Sequence, residues 1–140
     1  KLFPLIEPSI LLQQSVGENK KGLLVVIFEE ETRSELLPFL TKILGAVQYD
    51  LARDAQTVNI TDKTVFSLMN LCNYAEKEIN QVLFFGQSPK QVGLNLSVQK
   101  YQPVAVGGKR ILFADDLAVI HDDTELKKAL WASLQAMFLK

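Results

Sequence analysis

Leu23-Leu24-Val25-Val26-Ile27-Phe28 decides the fold. The run is apolar at odd and even positions alike, so a strand built from it must be covered on both faces, the pattern of a central parallel strand. Val82-Leu83-Phe84-Phe85 has the same character and stops at Gly86. Between and after these runs the apolar spacing turns helical. Thr32 and Glu35 form a capping pair ahead of Leu36, Leu37, Leu40, Ile43 and Leu44, with Pro38 in the first turn and Gly45 as the expected stop. Asp62 is the expected cap of a helix carrying Val65, Phe66, Met69 and Cys72. Asp122 and Glu125 are expected to open the last helix, whose stripe of Leu126, Leu130, Leu134 and Met137 is widened by Trp131 and Phe138. β-Branched residues make Thr57-Val58-Asn59-Ile60 a further strand.

Strands alternating with helices predict an α/β fold: a three-layer α/β/α sandwich with a mainly parallel central sheet. The alternation breaks at Val104-Ala105-Val106 and Arg110-Ile111-Leu112-Phe113, which flank Gly107-Gly108 and read as a tight hairpin with at least one strand at the sheet edge. Residues 1–22, with Pro4, Pro8 and the turn-rich Gly17 to Gly22, read as an N-terminal arm with a short helix near Pro8, and residues 23–140 as a single domain.

The 140 residues are 48% hydrophobic and 22% charged, within the range of an ordinary globular domain, and long enough for one core without a stabilising metal or disulfide. Fifteen basic against sixteen acidic residues give a net charge of -1, so no overall field favours duplex nucleic acid or anionic lipid. The apolar residues near the start are interrupted by Pro4, Glu7 and Pro8, unlike a signal-peptide core, and no run is long enough to span a membrane. The lone Cys72 cannot form an internal disulfide, which fits a reducing compartment and makes the cytoplasm the expected location.

No complete catalytic constellation is present. His121 is the only histidine, which leaves no His-rich metal site, and beside an acidic helix start it reads as a surface residue. Asp115-Asp116 and Asp122-Asp123 could hold Mg²⁺ only by converging; as adjacent acids they read as caps and first-turn charges. Cys72 has no neighbouring base in sequence and belongs with the helix core. Gly107-Gly108-Lys109 lacks the spacing of a phosphate-binding loop. No catalytic residue, metal or cofactor is therefore assigned. Gly86-Gln87-Ser88-Pro89 carries more weight, because it leaves the carboxyl end of a buried strand, where open α/β sheets place ligands.

Val82 to Pro89 resembles the strand and loop that carry the water-activating aspartate of uracil-DNA glycosylases, an apolar strand followed by Gly-Gln-Asp-Pro-Tyr-His. Ser88 stands at the aspartate position, Lys90 at the tyrosine and Gln91 at the histidine, and the family's second motif, His-Pro-Ser, is missing. The resemblance therefore implies a uracil-DNA glycosylase-like fold without the chemistry, since a serine lacking a base cannot activate water as a carboxylate does. Leu117, Asp122-Asp123, Lys127 and Leu130-Trp131, within Ala114 to Phe138, are similar to the last helices of the psi subunits of bacterial DNA polymerase III clamp loaders. That family has a related fold and no glycosylase activity. Its N-terminal arm reaches the clamp-loader ATPase and its globular part holds the chi subunit.

The resemblance implies a non-enzymatic protein-interaction subunit that links replication components, with Phe3, Leu5, Ile6 and Trp131 as candidate anchors for partner proteins. A rival reading is a small α/β enzyme or nucleotide-binding domain. Its pocket would lie at Gly86, Gln87, Ser88 and Lys90, with backbone N–H groups and Lys90 holding an anion and Glu29, Glu30 and Glu31 as acids or Mg²⁺ ligands. A third is a homo-oligomeric structural protein. Whether DNA is touched is open on all three.

Overall fold

Six apolar residues in a row leave a strand no wet side, and the chain meets that demand by building outward from both edges of β1 (Leu23–Phe28). The computed structural model describes residues 8–13, 15–28, 36–61, 64–75, 78–95 and 97–138. Along the chain, α1 (Pro8–Gln13) precedes β1, and α2 (Leu36–Ala46), α3 (Leu51–Asp54) and β2 (Ala55–Ile60) follow it. Then come α4 (Leu68–Tyr74), β3 (Gln81–Phe85), a 3-10 turn (Lys90–Val92), β4 (Val104–Val106), β5 (Lys109–Ala114), α5 (Leu117–His121) and α6 (Thr124–Phe138).

The five strands form one sheet in the order β2-β1-β3-β5-β4. The first four are parallel, with Leu23 opposite Ala55 on one side of β1 and opposite Gln81 on the other. β4 is antiparallel to β5 and forms the edge. Its turn uses Gly107 and Gly108 at φ of 57° and 80°, both positive as a tight two-residue hairpin requires.

Strand side chains alternate between two cores. Leu23, Val25 and Ile27, with Leu83, Phe85 and Leu112, face α2, α5 and α6, which contribute Leu40, Leu44, Ile120, Leu130 and Leu134. Leu24, Val26 and Phe28, with Val82, Phe84 and Phe113, face Leu11 of α1 and Leu68 and Leu71 of α4. Phe84 and Phe113 are register partners whose rings stack at 4.7 Å between centroids. The protein is thus α/β, with a mainly parallel sheet packed on both faces. Each fully buried apolar side chain contributes roughly 1.5–3 kcal/mol, so the β1 run anchors both cores.

The described part of the N-terminal segment lies on this body. Val16 exchanges hydrogen bonds with Thr57 at 2.9 and 2.7 Å, and the Asn19 N–H donates to the Ala55 carbonyl at 3.1 Å, so the outer edge of β2 is paired.

Three boundaries differ from the sequence reading. α2 runs through Gly45 to Ala46, and the left-handed residue that turns the chain is Gln48, at φ 69°. α4 begins at Leu68, with the Ser67 hydroxyl accepting from the Asn70 N–H at 3.3 Å; Val65 and Phe66 precede it, and Asp62 lies outside the described residues. α6 is capped by Asp123, whose Oδ1 accepts from the N–H groups of Glu125 and Leu126 at 2.9 and 3.2 Å. Asp122 still belongs to the end of α5, a helix of five residues too short to show a period of its own. Thr32 and Glu35 lie outside the described residues.

Candidate functional site

The loop leaving β3 is fitted tightly into the end of the sheet. Gly86 adopts φ 102° and donates its N–H to the Ala114 carbonyl at 2.9 Å, which pins it beside β5. A Cβ at this position would lie 2.1 Å from Asp116 Oδ1 and 2.6 Å from Phe28 Cε2. Only glycine lets those side chains approach so closely. Gln87 is 4% exposed, and its Oε1 and Nε2 have no hydrogen-bond partner among the described residues.

Ser88 acts on its own chain: its hydroxyl accepts from the Gln91 N–H at 3.3 Å, capping the 3-10 turn. The Val92 and Leu94 N–H groups donate to the Pro89 carbonyl and that of Gly93 to Lys90. The N–H groups of Gln91 to Leu94, apart from any contribution by Lys90, are therefore engaged within the loop. Gln91 is a strap, its Nε2 donating to the carbonyls of Thr61 and Thr64 at 3.2 and 2.7 Å. Lys90 is exposed at the margin of an open depression that it shares with Ser88 and Leu94. Glu29, Phe3, Leu5 and Ile6 lie outside the described residues, so Gly86, Gln87, Ser88 and Lys90 are the part of the predicted strand-end site whose geometry is seen.

Beside this loop, Asp115 closes the end of β5. It accepts from Lys100 Nζ at 2.6 Å and from the Tyr101 hydroxyl at 2.7 Å, and the Ser133 hydroxyl donates to the Tyr101 carbonyl at 2.6 Å. Burial works to raise the Asp115 pKa, but the hydrogen bonds from Lys100 and Tyr101 outweigh it and hold the carboxyl below its usual range. Burial, reinforced by Asp115, pushes the Tyr101 phenol well above its ordinary value. An acid displaced downward and a phenol displaced upward leave neither group poised for proton transfer near neutrality. Among the described residues no three His, Cys, Asp or Glu side chains gather as metal ligands. Cys72 is half-buried against the second core, and burial raises its thiol pKa, which disfavours the reactive thiolate.

The other predicted anchor opens a different surface. Trp131 is 38% exposed on α6 and lines a groove of about 590 Å³ between α2 and α6, with Phe39, Ile43 and Leu130 as apolar wall and floor. Lys42 of α2 and Lys127 of α6 are also among its lining residues. The His121 ring meets Phe39 edge-on at 5.1 Å between centroids, and the Lys127 ammonium lies 5.7 Å from the same ring. His121 also sits 3.0 Å from Asp122, as a surface residue near a helix end.

Phe39 and Lys42 were missed in the sequence reading, which named Lys127 only within the resemblance of the last helices. Their signal was the margin of α2: Phe39 and Ile43 are four apart on one side of the Leu36-Leu40-Leu44 stripe, as Trp131 lies beside the stripe of α6.

No protein-family model matches this chain, and no curated protein matches it.

Proposed function

We propose that this chain is a non-enzymatic, psi-like protein-interaction subunit that links components of the DNA replication machinery in the cytoplasm, on a degenerate uracil-DNA glycosylase-like α/β/α sandwich. The observation that carries the reading is the groove between α2 and α6, where Trp131 remains 38% exposed beside Phe39 and Ile43. Tryptophan is among the side chains most enriched at the few positions that dominate protein–protein affinity. The strand-end loop supports the non-enzymatic half of the reading, since Ser88 and Gln91 occupy the motif positions and are spent on holding the loop together.

The experiment is affinity capture from a lysate of the source organism, using the chain with its native N-terminus beside its Trp131→Ala variant. The expected result is a clamp-loader component retained by the parent protein and depleted by the variant. Recovery of no replication component removes the proposal.

A second reading, a ligand-binding α/β domain, draws on Gln87, because a buried amide without a partner costs about 1–3 kcal/mol and a ligand could satisfy it. A thermal-shift screen with nucleotides and uracil-containing DNA tests it, and a flat response removes it.

A further inference from the structure

We infer that the groove between α2 and α6 docks an acidic segment of a partner protein, its apolar side chain seated against Trp131, Phe39 and Ile43 and its carboxylates held by Lys42 and Lys127. The inference rests on the interaction role proposed above and names the chemistry of the partner.

Charge at the groove points to that occupant. The chain as a whole carries a net charge of -1, yet the groove is lined by two lysines and, among the described residues, by no carboxylate side chain. Among the described residues, neither Lys42 nor Lys127 has a carboxylate within ion-pair distance. By contrast Lys128, one position along α6, is paired with Glu125 at 3.7 Å, and Lys100 with Asp115 at 2.6 Å. Of the acids around the start of α6, Asp122 meets His121, Asp123 caps the helix and Glu125 pairs with Lys128. Two ammonium groups with no carboxylate partner among the described residues, bordering an apolar floor, repel a basic segment and attract carboxylates, with the apolar floor supplying most of the affinity.

The geometry also limits the shape of the guest. Lys42 comes from α2, and Lys127 of α6 reaches to 5.7 Å from the Phe39 ring of α2, so both ammonium groups border the apolar floor and a guest lying along the groove presents acids beside its apolar anchor. A narrow chain segment, helical or extended, satisfies this; a flat surface does not reach the floor.

The test is selection from a phage-displayed random peptide library on the immobilised protein, with subtraction on its Trp131→Ala variant. Enriched peptides are expected to carry Asp or Glu close to an aromatic or leucine residue. A synthetic copy of the leading peptide should bind more weakly as salt is raised and lose about tenfold or more in affinity to the Lys42→Glu, Lys127→Glu double variant. Both lysines are exposed, so this variant should keep the parent's unfolding midpoint even if Trp131→Ala proves poorly folded. No enrichment over the variant, enrichment of neutral or basic peptides, or binding indifferent to the charge reversal would overturn the inference. The library contains no replication proteins, so its result is independent of the capture experiment, and either idea can fail without the other.

Discussion

The loop after β3 and the groove between α2 and α6 are built on opposite principles. At the loop the chain closes a favourable ligand position with its own groups: Phe28 and Asp116 crowd Gly86, the Ser88 hydroxyl caps the turn, and Gln91 ties it to the 61–64 segment. At the groove it leaves aromatic and cationic side chains with less to do. The rule that ligands bind at the carboxyl ends of parallel strands identifies where a pocket is cheap to build, and not whether one is kept. Where the self-contacts stop is the better guide to an outside partner.

That contrast predicts where substitutions damage the fold and where they damage binding. Gly86→Ala should be the most harmful, costing about 3 kcal/mol, because it combines a positive φ with a Cβ driven into Asp116 and Phe28. Gly108 has a similar φ of 80° but nothing within 4 Å of an added Cβ. Gly108→Ala should therefore cost only about 1 kcal/mol in urea unfolding. Equal costs at the two glycines would mean that the strand-end loop is not tightly packed.

Trp131→Ala should behave in the reverse way. Its stability cost should stay at about 1–2 kcal/mol, since more than a third of the side chain is already exposed, while affinity for a groove-binding peptide falls by about tenfold or more. Calorimetric titration and urea unfolding of the same sample separate the two effects. A large loss of stability with unchanged affinity would make Trp131 a core residue. Gln91→Ala should lie on the other side of the comparison, losing about 1 kcal/mol through its two strap hydrogen bonds and leaving peptide affinity unchanged.

The sheet was legible because β1 and β3 announce themselves locally: an unbroken apolar run has one comfortable environment, and Gly107-Gly108 fixes the hairpin by conformation alone. The position of Gly86 at a strand end was legible for the same reason. What Gln91 and Asp116 do there was not, because each acts on residues distant in sequence. The groove was half legible. Trp131 stood out at the margin of its stripe, but its partners Phe39 and Lys42 come from a helix nearly a whole domain earlier, and only the placement of α2 and α6 on one face of the sheet, each packed against α5, joins them. Helix caps were misplaced by one to several residues wherever acids or hydroxyls occur close together, since sequence shows the candidates and only the backbone direction chooses between Asp122 and Asp123.

The smallest expected effect is in the acid limb of stability, and it divides the two regions once more. Asp115 beside the strand-end loop has its carboxyl held below the usual range, against the opposing effect of burial, by hydrogen bonds from Lys100 and Tyr101. In the unfolded chain its pKa returns to about 3.9. A carboxyl whose pKa is depressed by folding contributes stability above the unfolded value, and that contribution disappears as pH falls through the folded one. The gap in urea midpoint between the parent and Asp115→Asn should thus be constant from neutrality down to about pH 4 and close below it. Lys127→Gln should leave the shape of the acid limb unchanged, because no carboxylate among the described residues depends on that lysine. A gap for Asp115→Asn that persists unchanged into strong acid would show that its role is steric. A change of slope for Lys127→Gln would show that the groove, too, is neutralised from within.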